Sequence, residues 1–325
     1  MTVFVAVLTF HRHEFFLADY MSKIGNFNQG TISTLFSTEG YLDGFNYGSD
    51  LMSTDLAKKA VEQRREGATK SGDKFIHEFV LCPNIGFLAG PEPLIKDAEL
   101  KISFDRADPA TALIKLNKTA VVPTYLEIKN CVAYTEYISS PAIRSFFQDI
   151  DYNPIPYNYD DIQIIFKGVP TGEKQVRFDN LVGGNVPTHV FAALIKTSNL
   201  SDANQSSTGF LCNKVETFNI SLNGSSVNGY PVSILNESPI FPMVKFFDTC
   251  GRLYNINAGE CFSPLKFKSH FLWSHHFEEE RAQGWLGIDM KLKEPFSEPY
   301  SIVVWLISPR GLTIDKYHRI EKINL

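Results

Sequence analysis

Short runs in which apolar and polar residues alternate, each closed by a turn signal, fill the C-terminal half of this chain and limit what it can fold into. From Val215 to Leu222 the apolar Phe218, Ile220 and Leu222 alternate with Asn219 and Ser221, and Asn223-Gly224 follows at once. Side chains of a strand alternate faces with period two, and Asn-Gly tolerates the positive φ of a tight hairpin turn, so this stretch predicts a half-buried strand running into a turn. The alternation returns at Leu286, Ile288, Met290 and Leu292, with Gly287, Asp289 and Lys291 on the other face. A chain built mainly of such units is a β-sandwich or barrel.

Its 325 residues suffice for one large or two medium domains. Aromatic residues reach 13%, with 26 Phe, which favours pleated surfaces on which flat rings pack. The formal charge of -5 and a pI near 5.9 give no global field toward nucleic acid or an anionic membrane, so no strong nucleic-acid signal is present. Cys82, Cys131, Cys212, Cys250 and Cys261 form no CxxC pair and leave one over under any complete pairing. Free thiols in a reducing compartment, nucleus or cytoplasm, are the simplest reading. The apolar Val3 to Phe10 runs into His11-Arg12-His13, is too short to span a bilayer and reads as a strand. Asn-x-Ser/Thr sequons begin at Asn117, Asn199, Asn204, Asn219, Asn223 and Asn236; without a secretion signal they read as chance in an Asn- and Ser-rich β protein.

Along the chain, His13 to Ile24 predicts a short helix, and Asn26 to Asp50 a long Gly-, Asn- and Ser-rich insertion. The clearest helix runs from about Asp55 to Glu66, with Leu56, Ala60 and Val61 on one face and Lys58, Lys59, Glu62, Arg64 and Arg65 on the other. Strands are predicted at Phe75 to Cys82, Leu100 to Phe104, Ala110 to Leu116, Thr124 to Ile138 and Ile162 to Phe166, with a Pro-, Tyr- and Asn-rich loop at Tyr152 to Tyr159. Turn formers at Gly168 to Lys174 suggest the internal boundary. Beyond it, strands are expected near Val190 to Lys196, Glu216 to Leu222, Tyr230 to Leu235, Val244 to Phe247, Leu265 to Trp273, Leu286 to Leu292, Ile302 to Ile307 and Leu312 to Ile314, a jelly-roll number.

The candidate chemistry is thin. His11, His13 and Glu14 cluster, as do His270, His275, His276 and Glu278 to Glu280, but neither set has a spacing that converges three or four ligands on one point. His275 and His276 are adjacent and face opposite sides of a strand. Solvated loop histidines are the plainer account, and no metal or cofactor is assigned. Gly183-Gly184 lacks both phosphate-binding glycine patterns and reads as a tight turn. No Ser lies in a GxSxG elbow, and Asp105, Arg106 and Asp108 read as a turn with a local ion pair. No catalytic residue is assigned, and the chain reads as a non-enzyme.

Several segments in consistent order resemble the major capsid-like proteins of Polinton (Maverick) virus-like DNA transposons. The first is Ile95 to Leu116, with Leu100, Ile102, Phe104, Arg106, Ala107 and Ala112-Leu113; the second is the strand Leu126 to Val132. Next comes Val176-Arg177-Phe178-Asp179-Asn180-Leu181-Val182-Gly183-Gly184-Asn185-Val186-Pro187, similar to that family's segment between its two barrels. Phe218 to Gly229 follows, then Glu298-Pro299 feeding Ile302 to Ile307, and Thr313-Ile314-Asp315. The likeness covers roughly residues 30 to 320. Two departures stand out: the family places a full set of strands before the region of Gly30, and Ser198 to Ser207 lacks its usual aromatic, Asn- and Pro-rich motif.

The resemblance implies an all-β double jelly-roll, two β-sandwich barrels, the first incomplete (residues 1–170, with a long loop and one short helix inserted) and the second complete (171–325). It implies a structural capsid protein of a virus or virus-like transposable element. Such a protein forms homotrimers with a pseudo-hexagonal outline, which meet neighbouring capsomers and a penton-type capsid protein in a virion. Candidate subunit contacts are the loop aromatics Phe27, Tyr41, Phe45 and Tyr47 of the first insertion and Tyr152, Tyr157 and Tyr159 of the second. The alternative for these rings is packing on their own barrel. A truncated first barrel predicts exposed edges and aggregation. Two other classes compete: a jelly-roll carbohydrate- or ligand-binding module, which needs a face of clustered Trp where this chain has Trp273, Trp285 and Trp305, and a cupin-type enzyme, which needs converging histidines.

Overall fold

A computed structural model describes residues 4–10, 12–26, 55, 58, 59, 68–71, 74–78, 80, 98–104, 127–132, 134, 140, 141, 145, 154–201, 205, 208–210, 214–229, 231–233, 240–251, 267, 272–277, 283–317 and 319–323. Near the N-terminus, β1 (Phe4–Phe10) pairs in parallel with β4 (Ala98–Phe104), and β2 (Ala68–Ser71) forms a hairpin with β3 (Lys74–His77). Between β1 and β2 runs α1 (Arg12–Asn26).

From Ile155 onward the strands are β5 (Ile155–Val169), β6 (Gln175–Asn185), β7 (His189–Lys196), β8 (Val215–Leu222), β9 (Ser225–Ser226), β10 (Val232–Ser233), β11 (Leu272–His276), β12 (Gln283–Leu292), β13 (Tyr300–Ile314) and β14 (Ile320–Ile323), with α2 (Ile240–Thr249) between β10 and β11. One sheet has the order β10-β8-β12-β6, with β9 beside β8; the other has β11-β7-β13, with β5 on the far side of β13 and β14 beside its last residues. All these pairings are antiparallel.

Taking β5, β6, β7, β8, β10, β11, β12 and β13 in order, the first pairs with the eighth, the second with the seventh, the third with the sixth and the fourth with the fifth. That is one long two-stranded ribbon rolled up so that its two ends of the chain lie side by side. The contacts β7 to β13 and β8 to β12 close the roll into two sheets. This is jelly-roll connectivity.

The sequence-predicted Asn223-Gly224 turn is present, with φ of 53° and 80°, and it joins β8 to β9. Positive φ at both central residues matches the twist of a two-residue hairpin. The turn at Gly168 to Lys174 connects β5 to β6 inside this sandwich, so the sandwich extends upstream of the boundary expected at 170/171. The stretch Tyr152 to Tyr159, expected as a loop, supplies the start of β5 from Ile155 on. Pro156 is accommodated because β5 is an edge strand whose only described partner is β13.

Ile302 to Ile307 and Leu312 to Ile314 are parts of one strand, β13, and not two. Pro309, which interrupts the pattern, sits beyond the end of β7 and before β14, where no described strand needs its missing N–H. Val244 to Phe247, expected as a strand, is helical within α2: Pro242 lies in the first turn, the Thr249 hydroxyl donates to Lys245 O, and Gly251 at φ 65° ends the helix. Of Leu265 to Trp273, expected as a strand, Leu272 and Trp273 open β11 and Phe267 is helical, and the others lie outside the described residues. Gly183-Gly184 is the end of β6, not a turn. Glu127 to Val132 and Tyr134, expected within a strand, have no regular secondary structure and are exposed. Of the predicted 55–66 helix, Asp55, Lys58 and Lys59 are described and are helical. Ala110 to Leu116, Asp105, Arg106, Asp108 and most of Asn26 to Asp50 lie outside the described residues.

The interior of the sandwich is filled by alternate residues of both sheets: Val190, Ala192 and Leu194 of β7, Phe218 and Ile220 of β8, Trp273 of β11, Leu286, Ile288 and Met290 of β12, and Ile302, Val304 and Leu306 of β13. On the other face of the β5-β13-β7-β11 sheet lies a second apolar layer. Phe191, Ala193, Ile195, Leu272, Val303 and Trp305 meet Leu17, Tyr20, Met21 and Ile24 of α1 and Phe246 and Phe247 of α2. β7 and β13 are therefore buried on both faces, which explains why their sequences read as near-continuous apolar runs.

Candidate functional site

The two outer faces of the sandwich differ in what they offer to a partner. On the helix-covered side, α1 presents Leu17, Tyr20, Met21 and Ile24 at i, i+3, i+4 and i+7, one stripe of a helix surface. The Trp305 indole Nε1 donates to Leu17 O at 3.0 Å, tying β13 to the helix. Phe210 stands between them, edge-on to Tyr20 at 6.0 Å and to Trp305 at 5.6 Å. Phe246 of α2 packs edge-on against Phe191 at 5.8 Å. Beyond the stripe, Asp19 and Lys23, one helical turn apart, pair at 2.7 Å and are fully buried. This face is closed by the chain itself.

The face of β8, β12 and β6 is polar and open. Lys291 pairs with Glu216 at 2.9 Å, Arg177 with Asp179 at 2.7 Å, and the Gln175 amide reaches Asp289 at 3.4 Å. At one end of it Trp285 is half exposed, opposite Gly183 across the ladder. Its backbone N–H donates to Asn223 Oδ1 at 3.0 Å, so the hairpin turn is fastened to β12. A Cβ on Gly284 would collide with the Asn223 side chain, so a larger residue there would displace the amide that fastens the turn.

At the same end, His276 of β11 lies opposite His189 of β7, and the rings stack at 4.6 Å. The Thr188 hydroxyl is 2.9 Å from His189 Nδ1 and donates to Ile307 O. Burial lowers the pKa of His189 to about 4, with His276 adding to the effect. Burial likewise lowers His275 to about 4, with Lys245 and His276 contributing. His275 and His276 do face opposite sides: His275 meets Phe277 edge-on at 4.6 Å while His276 meets His189. Among the described residues no three His, Cys, Asp or Glu gather as a metal would need. His11, His270 and Glu278 to Glu280 lie outside the described residues, as does the side chain of His13. His189 was missed by sequence reading because it belongs to no local cluster; only the register of β7 against β11 brings it to His276.

Beyond Ile307, β13 runs on paired with β5 and, from Gly311, with β14. Its turn is held by Asp315, whose carboxylate accepts from the backbone N–H of Tyr317 and of Arg319, both at 2.8 Å, and pairs with Arg319 Nε at 3.0 Å. These bonds lower the Asp315 pKa, the Arg319 N–H most of all. Tyr317 and Ile320 are exposed there.

Of the seven candidate contact aromatics, Phe27, Tyr41, Phe45, Tyr47 and Tyr152 lie outside the described residues. Tyr157, in β5, is 1% exposed in the single chain. Tyr159 is half-buried, its pKa raised by burial and by Asp161 against the opposing charge of Arg310. Trp273 and Trp305 are buried, which removes two of three indoles from any ligand-binding face. Asn199 is buried and so is no acceptor for a glycan.

The chain is all-β with a jelly-roll sandwich. Among solved structures it is similar to PBCV-1 VP54, whose crystal structure was fitted into a reconstruction of the virophage Sputnik: 10% identity, TM-score 0.37, covering 57% of this chain and 55% of that one. It is similar as well to a chain of the Sputnik virophage, at 12% identity, TM-score 0.32 and coverages of 53% and 39%. A third is the mavirus major capsid protein, at 10% identity, TM-score 0.35 and coverages of 58% and 44%. The chain spans about half the length of the solved chains it matches. No family model and no curated protein matches it.

Proposed function

We propose that this chain is a structural, capsid-type protein that works by self-association and not by catalysis. It forms trimeric capsomers of pseudo-hexagonal outline that take their place in the shell of a virus or virus-like transposon, beside neighbouring capsomers and a penton-type protein. The observation that carries the reading is the rolled eight-strand ribbon of β5 to β13, whose sheet is sealed on its outer side by α1 and α2. A sheet buried on both faces by its own chain makes a rigid block, and the order of resembling segments from about residue 30 to 320 supports the same conclusion. The rim of the block carries the exposed apolar residues a partner would cover: Trp285 at the hairpin end, Tyr317 and Ile320 on the β13–β14 hairpin, Ile240 and Phe241 at the start of α2. A permanent interface buries about 2,000 Å² or more with a core-like centre, so these rims act together with the loop aromatics Phe27, Tyr41, Phe45, Tyr47 and Tyr152.

The test is the solution mass of the purified full chain by light scattering, followed by negative-stain imaging of the same fraction. A trimer with a six-sided outline, or closed shells, is the expected result. A monomer that stays monomeric at high concentration would overturn the reading.

A further inference from the structure

We infer that the free edge of β14 is a twofold contact, on which a second copy of this chain lays its own β14 in antiparallel register centred on Ile320. The ladder of the β13–β14 hairpin fixes which groups are free. The backbone N–H of Asp315 donates to Arg319 O at 3.1 Å, and the register sets Thr313 opposite Glu321 and Ile314 opposite Ile320. Antiparallel ladders alternate hydrogen-bonded and non-bonded pairs, so the bonded pairs are 315 with 319 and 313 with 321, and the N–H and C=O of Ile320 point away from β13. No described strand lies on that side, and Arg319, Ile320, Glu321 and Lys322 are all exposed. An unpaired strand edge is a template for another strand.

Symmetry and charge select the occupant. Two copies of one strand can pair antiparallel only about an axis perpendicular to the sheet, which sets some residue opposite itself and every other residue opposite one that differs by an even number. Centring on Glu321 sets carboxylate against carboxylate, and centring on Lys322 sets ammonium against ammonium. Centring on Ile320 sets the exposed isoleucine against its own copy and Arg319 opposite Glu321 on both sides of the axis. In that register the outward N–H and C=O of Ile320 exchange two hydrogen bonds with the other copy. Arg319 is already held on the hairpin by Asp315 at 3.0 Å and by the Tyr317 ring at 4.9 Å, so little freedom is lost when it meets the second carboxylate. A contact of this size is weak alone and gains strength when several are made at once by an assembly.

Residues that form a bonded antiparallel pair lie about 5.5 Å apart at Cα, within disulfide reach. The experiment therefore uses the full chain with Cys131→Ser, into which Ile320→Cys or, as an off-register control on the same hairpin, Lys316→Cys is introduced, under mild oxidant at pH 8. Ile320→Cys is expected to give a linked dimer of whatever unit the chain forms, with Lys316→Cys at the parent's background. Equal crosslinking at the two positions would overturn the contact. Separately, Glu321→Arg is expected to weaken self-association at this edge about tenfold, with folding checked by circular dichroism, and Arg319→Glu combined with Glu321→Arg is expected to recover it. Unchanged association in Glu321→Arg would also overturn it. A trimer mass that survives Glu321→Arg belongs to the capsomer reading, so the two proposals fail separately.

Discussion

The two outer faces of the sandwich solve the same problem in opposite ways. Behind β5, β13, β7 and β11 the chain places a second apolar layer of helix side chains, and even the charged pair Asp19–Lys23 is taken out of water. In front of β8, β12 and β6 it leaves ion pairs and amides in solvent, each with its partner on the same sheet. The first face owes its stability to area removed from water and to partners that no solvent can replace; the second owes almost nothing to its contacts, since exposed pairs contribute about 0 to 1 kcal/mol. A protein that must keep its shape while its rim is gripped gains from having the costly layer inside and the interchangeable one outside.

This contrast can be broken most severely at the tryptophan latch. Trp305→Ala removes a fully buried indole and its bond to Leu17 O, and is expected to cost about 3–5 kcal/mol, read as a lowered urea midpoint. Asp19→Ala removes the buried carboxylate that pairs with the Lys23 ammonium and is expected to cost a similar ~3–5 kcal/mol, whereas replacing both residues by apolar ones of like volume is expected to be neutral or stabilising. Thermal unfolding of these variants side by side separates the loss of a buried ion pair from the loss of packing.

The histidine end sharpens the comparison through pH. His189 and His275 are held neutral in the fold at pKa values of about 4, against 6.5 in the unfolded chain. Below 6.5 the unfolded state binds protons the folded state refuses, so their contribution to stability is whole above pH 6.5 and is lost as pH falls toward 4. Melting temperature is expected to drop across that window, and His189→Gln is expected to flatten the drop; an unchanged slope in that variant would remove His189 from the account. Smallest of all, Arg177→Ala and Lys291→Ala on the open face are each expected to stay within about 0.5 kcal/mol of the parent.

How much of this was legible follows the same division. On the open face the period of two survives in the sequence, so β8, its Asn223-Gly224 turn and β12 were readable residue by residue. On the sealed side both faces of β7 and β13 are apolar, the alternation vanishes, and length and turn signals must decide; Pro309 then split β13 in two. Val244 to Phe247 read as a strand because an apolar run has no period of its own, and its helix is defined by what it packs on. α1 was legible from its spacing, but its role as a lid was not, since that depends on Trp305 at the other end of the chain. Likewise the His189–His276 stack exists only through pairing between strands far apart in sequence. Tyr157 looked like a loop ring because Pro154 and Pro156 precede it, whereas it lies in β5 opposite Leu312, a pairing no local signal announces.

The bond from Trp305 to Leu17 joins residues 288 positions apart. A ribosome adds about 5–20 residues per second, so the apolar stripe of α1 emerges roughly 15 to 60 seconds before the strand that will cover it. During that interval the helix meets β5 and β7 but lacks the strand to which Trp305 will latch it, and the first strand of the rolled ribbon waits just as long for the last. Production of this chain in cells is thus expected to depend on holdase chaperones and slow translation at low temperature far more than its finished stability would suggest.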